Sequence, residues 1–167
     1  MKVCVPKSKK ITTVSIQIVS DISNIAFFNC RGGKPKIKNI DLMYESIQKE
    51  FKIIGIADSS LYHKIDNKKE YKEKYLETKI IIEAPAFVPA DIYIIKFALK
   101  NESYILSNDI FKEFDFFDKN WMKTQRITFM IIENQFFIFN PQINIQIEKS
   151  NHQINQTVSP HLFEIEH

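Results

Sequence analysis

Asp21, Asp58 and Asp109 stand at or just beyond the ends of three apolar, β-branched runs, Ile11 to Ser20, Lys52 to Ala57 and Ser103 to Leu106. If those runs are parallel strands of one open sheet, their carboxyl ends share a rim where loops build a site, so acids far apart in sequence become neighbours. Asp91, in the first turn of a helically periodic stretch, and Glu113, four residues after Asp109, can face the same cleft. Crowded carboxylates repel one another and raise each other's pKa values unless a cation offsets their charge. An all-oxygen set suits Mg²⁺ or Mn²⁺ better than Zn²⁺, and one or two such ions can orient water for attack on phosphorus. Phosphodiester hydrolysis therefore fits these residues without a Cys or His nucleophile. Each acid also has an ordinary reading. Asp21, Asp58 and Asp109 can cap turns or helices, Asp58 through Ser59-Ser60; Asp91 is a favourable charge at a helix start, and Glu113 suits a solvated face. The combination carries more than any member.

Arg31, Lys34, Lys36 and Lys38 surround Gly32-Gly33 in a basic loop that could attract phosphate or simply be solvated. Further lysines at 64, 68, 69, 72 and 74 are interleaved with acids and with Tyr71 and Tyr75. Other chemistries lack their residues. His63 is isolated, and His152, His161 and His167 fall near the end without compact metal-binding spacing. Ser23, Ser59 and Ser107 lack an acid-His arrangement, and with three glycines in all there is no GxGxxG or GxxxxGK phosphate loop.

The elements that must position the acids follow from periodicity. A strand is expected over Ile11 to Ser20, a helix over Asn39 to Phe51 with Asn39 or Asp41 as caps, and a strand over Lys52 to Ala57. One or more surface helices should lie within Tyr62 to Lys79, then a strand over Lys79 to Glu83. Pro85 and Pro89 break regular structure before a helix over Ala90 to Lys100. A short strand over Ser103 to Leu106, a helical turn at Phe111 to Phe114 and a hairpin of Arg126 to Ile132 and Gln135 to Phe139 about Glu133-Asn134 complete the series. This alternation specifies a three-layer α/β domain with a mostly parallel central sheet, flanking helices and an antiparallel or edge element near its end.

At 167 residues the chain suits one domain, here 11–140, with a basic leader over 1–10 and an Asn-, Gln- and Ile-rich extension or tail over 141–167. A hydrophobic content of 44%, with 14 Phe, supplies a core, and a net charge of +3 permits but does not identify a polyanionic partner. Cys4 and Cys30 are too few for a disulfide framework and have no CxxC spacing. No stretch approaches the ~18 consecutive apolar residues of a membrane helix, so a soluble cytoplasmic protein is expected.

The patches Asp21-Ile22-Ser23-Asn24, Pro89-Ala90-Asp91 and Ser107-Asn108-Asp109-Ile110-Phe111-Lys112-Glu113, in this order, resemble the PIN-like ribonuclease superfamily. The similarity is to its NYN branch, which includes the ribonuclease domains of CCCH-zinc-finger proteins, and it runs from residue 13 to about 139. It implies a divalent-metal-dependent endoribonuclease acting on single-stranded or looped RNA. Asp21, Asp91, Asp109 and Glu113 would hold Mg²⁺ or Mn²⁺, and Asn24, Asn108 and Asp58 would support them. Arg31, Lys34, Lys36 and Lys38 would meet RNA. This sequence departs from the family where an acidic pair precedes the middle helix, having Ala90 beside Asp91, and where Glu113 stands for a common Asp. It also lacks the CCCH finger. A PIN-like domain that binds RNA or scaffolds proteins without cleaving, and a metal-dependent DNA nuclease, are the alternatives; a homodimer or an RNA-processing assembly is the expected context.

Overall fold

Runs of β-branched residues buried on both faces form the centre of the molecule. The computed structural model describes residues 16–140. In chain order it contains β1 (Gln17–Asp21), α1 (Ile22–Phe27), α2 (Ile37–Ile47), β2 (Lys52–Ala57), α3 (Leu61–Lys64) and α4 (Lys68–Tyr71), which runs into a π-helical turn (Lys72–Leu76). There follow β3 (Ile81–Glu83), α5 (Ala90–Asn101), β4 (Tyr104–Leu106), α6 (Lys119–Gln125), β5 (Arg126–Ile132) and β6 (Gln135–Phe139). The six strands form one sheet in the order β3-β2-β1-β4-β5-β6. All neighbours are parallel except β5 and β6, which pair antiparallel with Ile132 opposite Gln135. The expected three-layer, mostly parallel architecture with an antiparallel edge is thus present.

Successive strand residues point to opposite faces, so β1 sends Ile18 into one core and Val19 into the other. On the first face Ile22, Ile25, Ile40, Met43 and Leu61 pack against the sheet; on the second, Ile94, Ile95, Ala98 and Phe111 do so. Asp21 closes β1 at the sheet's carboxyl rim. The turn between β5 and β6 places Glu133 at φ 49° and Asn134 at φ 60°, the left-handed pair that a two-residue type I′ hairpin requires.

Several expectations are corrected. The second helix spans Ile37 to Ile47 rather than 39–51, because the Asp66 carboxylate accepts from Ile37 N at 2.9 Å and starts it early. Asn39 does not cap it. Its amide instead donates to the carbonyls of Ile25, Ala26 and Phe28 at 3.2, 3.3 and 3.0 Å, closing the C-terminal end of α1. Asp41, the other expected cap, pairs with Lys74 at 2.7 Å and accepts from Tyr75 Oη. Phe111 to Phe114 is a hydrogen-bonded turn, not a helix, with Phe111 at φ 51°. Helices α1 and α6 were not expected; both are short and start at aspartates, Asp21 and Asp118, whose side chains accept backbone N–H groups. The leader, the start of the first expected strand, Cys4, the last three histidines and the region beyond 140 lie outside the described residues. Among the described residues no helix is long and apolar enough to cross a membrane.

Candidate active site

Strand order reverses between β1 and β4: from β1 the chain builds outward to β2 and β3 on one side and to β4 and β5 on the other. At such a switch point the loops leaving neighbouring strands diverge and open a crevice at their carboxyl ends. The crevice here is a cleft of about 270 Å³ lined by Asp21, Asn24, Asp58, Lys64, Asp91 and Asp109, among others. Four carboxylates from four segments therefore meet at the place where the sheet itself makes room.

Asp21 is 4% exposed. One oxygen accepts from Asn24 N at 3.0 Å, capping α1, and the other accepts from Ser107 Oγ at 2.9 Å. Burial pushes its pKa from 3.8 to about 7, against the two hydrogen bonds and with help from the charges of Asp91 and Asp58. Ser107 Oγ also accepts from Asp109 N at 3.1 Å, so one hydroxyl ties the ends of β1 and β4 together. The Asn24 side chain accepts from Asn108 N at 3.0 Å, and Asn108 in turn clasps β5, donating to Phe129 O and accepting from Phe129 N, both at 3.0 Å. Asn24 and Asn108 thus fix the loop that carries Asp109.

Asp58 receives Ala90 N on its carboxylate at 2.9 Å and donates its own N–H to Ser23 Oγ at 2.9 Å. It caps α5 from across the sheet, where Pro89 has no side chain able to do so. The expected local cap through Ser59-Ser60 is replaced by this long-range one. Asp109 turns one carboxylate oxygen onto Phe111 N at 2.9 Å. Asp91, in the first turn of α5, has no hydrogen-bond or ion-pair partner among the described residues. Its pKa rises to about 6, through burial first and then the charges of Asp58, Asp109 and Glu113.

Glu113 sits on the exposed turn after Asp109, close enough to be felt by Asp91 but not lining the cleft. Phe111 is fully buried, while Lys112 and Glu113 after it are exposed. Arg31, Lys34, Lys36 and Lys38 are all exposed on and after the α1–α2 connection, and none lines the cleft. The cation at its edge is Lys64, whose ammonium donates to Ser60 Oγ at 3.2 Å. Ser23 and Ser107 are the site residues that sequence reasoning passed over. Considered as nucleophiles they lack a histidine, yet each organises an acid, and their only local signal is a place beside the strand-end aspartates.

An oxygen-only donor set suits a hard divalent ion in kind. Yet among the described residues no group of three or more His, Cys, Asp or Glu side chains is arranged to hold a metal ion. The hydrogen bonds above explain the spread: Asp21, Asp58 and Asp109 are each turned onto a backbone N–H, and Asp91 alone is uncommitted.

No curated protein sequence matches significantly. Among solved structures, the fold is similar to nuclear proteinaceous RNase P 2 (PRORP2) from A. thaliana, with TM-score 0.62 and 13% identity over 76% of this chain. A second structure, of Arabidopsis thaliana nuclear protein-only RNase P 2 (PRORP2), gives TM-score 0.61 and 12% identity, also over 76% of this chain. This chain spans 30% of the length of either. At such identity the likeness is one of fold alone. The sequence itself goes further, for the model of the Zc3h12a-like ribonuclease NYN domain matches residues 15–152, and the chain belongs to that family.

Proposed function

We propose that the chain is an endoribonuclease that hydrolyses phosphodiester bonds in single-stranded or looped RNA and depends on Mg²⁺ or Mn²⁺. The observation that carries this reading is the meeting of Asp21, Asp58, Asp91 and Asp109 in one cleft at the sheet's switch point. Asp21, Asp91 and Asp109 would hold the ion, with Glu113 adding charge from the adjoining turn. A bound divalent ion would supply a more acidic water and neutralise charge developing on the phosphate oxygens. The protein's own groups prepare that site. Ser107 holds Asp21 and the Asp109 loop in register, Asn24 and Asn108 fix that loop to β5, and Asp58 anchors the α5 terminus from which Asp91 projects. Lys64 would meet a backbone phosphate beside the cleft, and Arg31, Lys34, Lys36 and Lys38 would take the strand further along.

The second reading is a PIN-like domain that binds RNA or scaffolds proteins without cleaving. It is favoured by the dispersal of the carboxylates onto backbone partners and by Ala90, which leaves Asp91 as the one acid at the start of α5. Purified chain incubated with matched single-stranded RNA and DNA, with and without Mg²⁺ or Mn²⁺, separates these readings. The expected result is metal-dependent RNA cleavage, absent in a folded Asp109→Ala control. RNA binding without turnover would select the second reading, and preferential cutting of the DNA would mark a DNA nuclease.

A further inference from the structure

Phe87 is placed at a cost on two counts. The residue is fully exposed, so the ring gains nothing from burial. Its backbone has φ 67°, a region bulky residues seldom occupy. The turn around it is closed by Val88 N donating to Pro85 O at 3.1 Å, and with a positive φ at Phe87 alone it follows the type II pattern. Phe87 stands at the third position of that turn, which glycine fills without strain. Pro85 and Pro89 bracket the segment and limit its freedom.

Phe87 lines a cleft of about 570 Å³ together with Asp58, Ser59, Ser60 and His63. That size lies within the ~300–1,000 Å³ range of small-ligand sites. Asp58 and Ser60 line this cleft and the acidic one alike, so the two clefts adjoin at those residues. An RNA strand with a phosphate at the acids and Lys64 would bring its neighbouring base to the adjoining cleft. Every base has a π-face, and an open aromatic ring can take any of them, provided the base is not already stacked within a duplex.

Resting on the reading of the acidic cleft as an RNA-cleaving site, we propose that this second cleft is a nucleobase subsite, in which Phe87 stacks on the base beside the scissile phosphate. The Ser59 and Ser60 hydroxyls and the His63 ring supply polar groups for the base edge. Phe87 then makes the site select unpaired strands, because a base within a helix cannot offer its face.

The test uses the full chain with Asp109→Ala, so that cleavage does not interfere, and an oligo(U) strand carrying one fluorescent adenine analogue. Phe87→Ala should weaken binding about tenfold and abolish the quenching of the analogue, whereas Phe87→Trp should retain both. Replacing the analogue with an abasic residue should weaken binding to the parent by a similar factor and to Phe87→Ala hardly further. Equal affinity of Phe87→Ala and its parent, or equal losses on intact and abasic strands, would overturn the subsite. Phe87→Gly relieves the backbone and should melt no lower than the parent while losing the same affinity; a lower melting temperature with affinity kept would make Phe87 structural and overturn the proposal. If Asp109→Ala and Asp21→Asn proteins still cleave RNA while Phe87→Ala loses base stacking, the acid assignment fails and the subsite stands. If no variant, nor the unaltered chain, binds RNA, both fail.

Discussion

Asp21 keeps its carboxyl where burial favours the neutral form, although ion binding would need the charged one. Its pKa rises from 3.8 to about 7 on folding, so between those values the native state holds a proton that the unfolded chain has lost. Stability contributed by the neutral form is complete below about pH 4 and is lost as pH rises through about 7, by on the order of a few kcal/mol. In EDTA the melting temperature should therefore fall between about pH 5 and about pH 8, and Asp21→Asn, which keeps an acceptor for Asn24 N but no charge, should flatten that fall and melt higher at the alkaline end. Mg²⁺ should raise the melting temperature of the unaltered chain most at the alkaline end and that of Asp21→Asn far less. A profile that rises with pH in the unaltered chain, or one that Asp21→Asn leaves unchanged, would contradict this account. Asp91, raised to about 6, shares the direction. RNA cleavage should consequently increase with pH through the range of about 6 to 7 in the unaltered chain, and be lost when either Asp21 or Asp91 is replaced by Asn.

Short elements here are stable because distant residues finish their ends. A helix of six residues such as α1 cannot persist alone, and Asp21 closes its start while Asn39 closes its finish. The start of α5 relies likewise on Asp58. Asp58→Ala should lose about 1 kcal/mol in urea unfolding while Asp58→Asn, which retains the acceptor, should lose only a few tenths. Equal losses would show that the charge and not the cap matters. At Gly55 in β2 an added Cβ would lie 2.7 Å from Tyr44 Oη and 2.9 Å from Ile81 Cγ1, so Gly55→Ala should cost about 1–3 kcal/mol by overpacking the contact of α2 with the sheet. These long-range finishes explain what the sequence disclosed and what it hid. The strands were legible because β-branched runs stop at acids, and parallel-sheet logic then gathered Asp21, Asp58 and Asp109 on one rim. The roles of Asn39, Asp66 and Asp58 as caps were hidden, since each serves a helix other than the one its local pattern suggests. Ser107 was hidden for the same reason, its partner Asp21 lying 86 residues away. Glu113 is exposed beside the buried Phe111, and spacing from Asp109 does not reveal that.

At the scale of the whole molecule the sheet separates two charges that RNA must reconcile. The chain as a whole carries +3, yet the switch point, where the proposed function puts a phosphate, concentrates four carboxylates with Lys64 at their edge. Attraction for the strand therefore has to come from elsewhere. The segment that leads from α1 into α2 is the candidate, because Arg31, Lys34, Lys36 and Lys38 are exposed, and the same segment is fixed to the body by Lys36 N donating to Ala26 O at 2.9 Å and by Asp66 N donating to Pro35 O at 2.9 Å. Each lysine that displaces a counterion from single-stranded RNA adds about 0.7 to the slope of log affinity against log salt. Replacing Lys34, Lys36 and Lys38 together by Ala should therefore lower RNA affinity and reduce that slope by about 2 if all three meet phosphates. The loss should be uniform across base sequences, since phosphate contacts do not read bases. It should also leave the melting temperature nearly unchanged, because all three residues are exposed and none of their side chains is hydrogen-bonded to another described residue. An unaltered salt slope in the triple variant would remove this face from the path of the RNA and leave Lys64 as the cation that receives it.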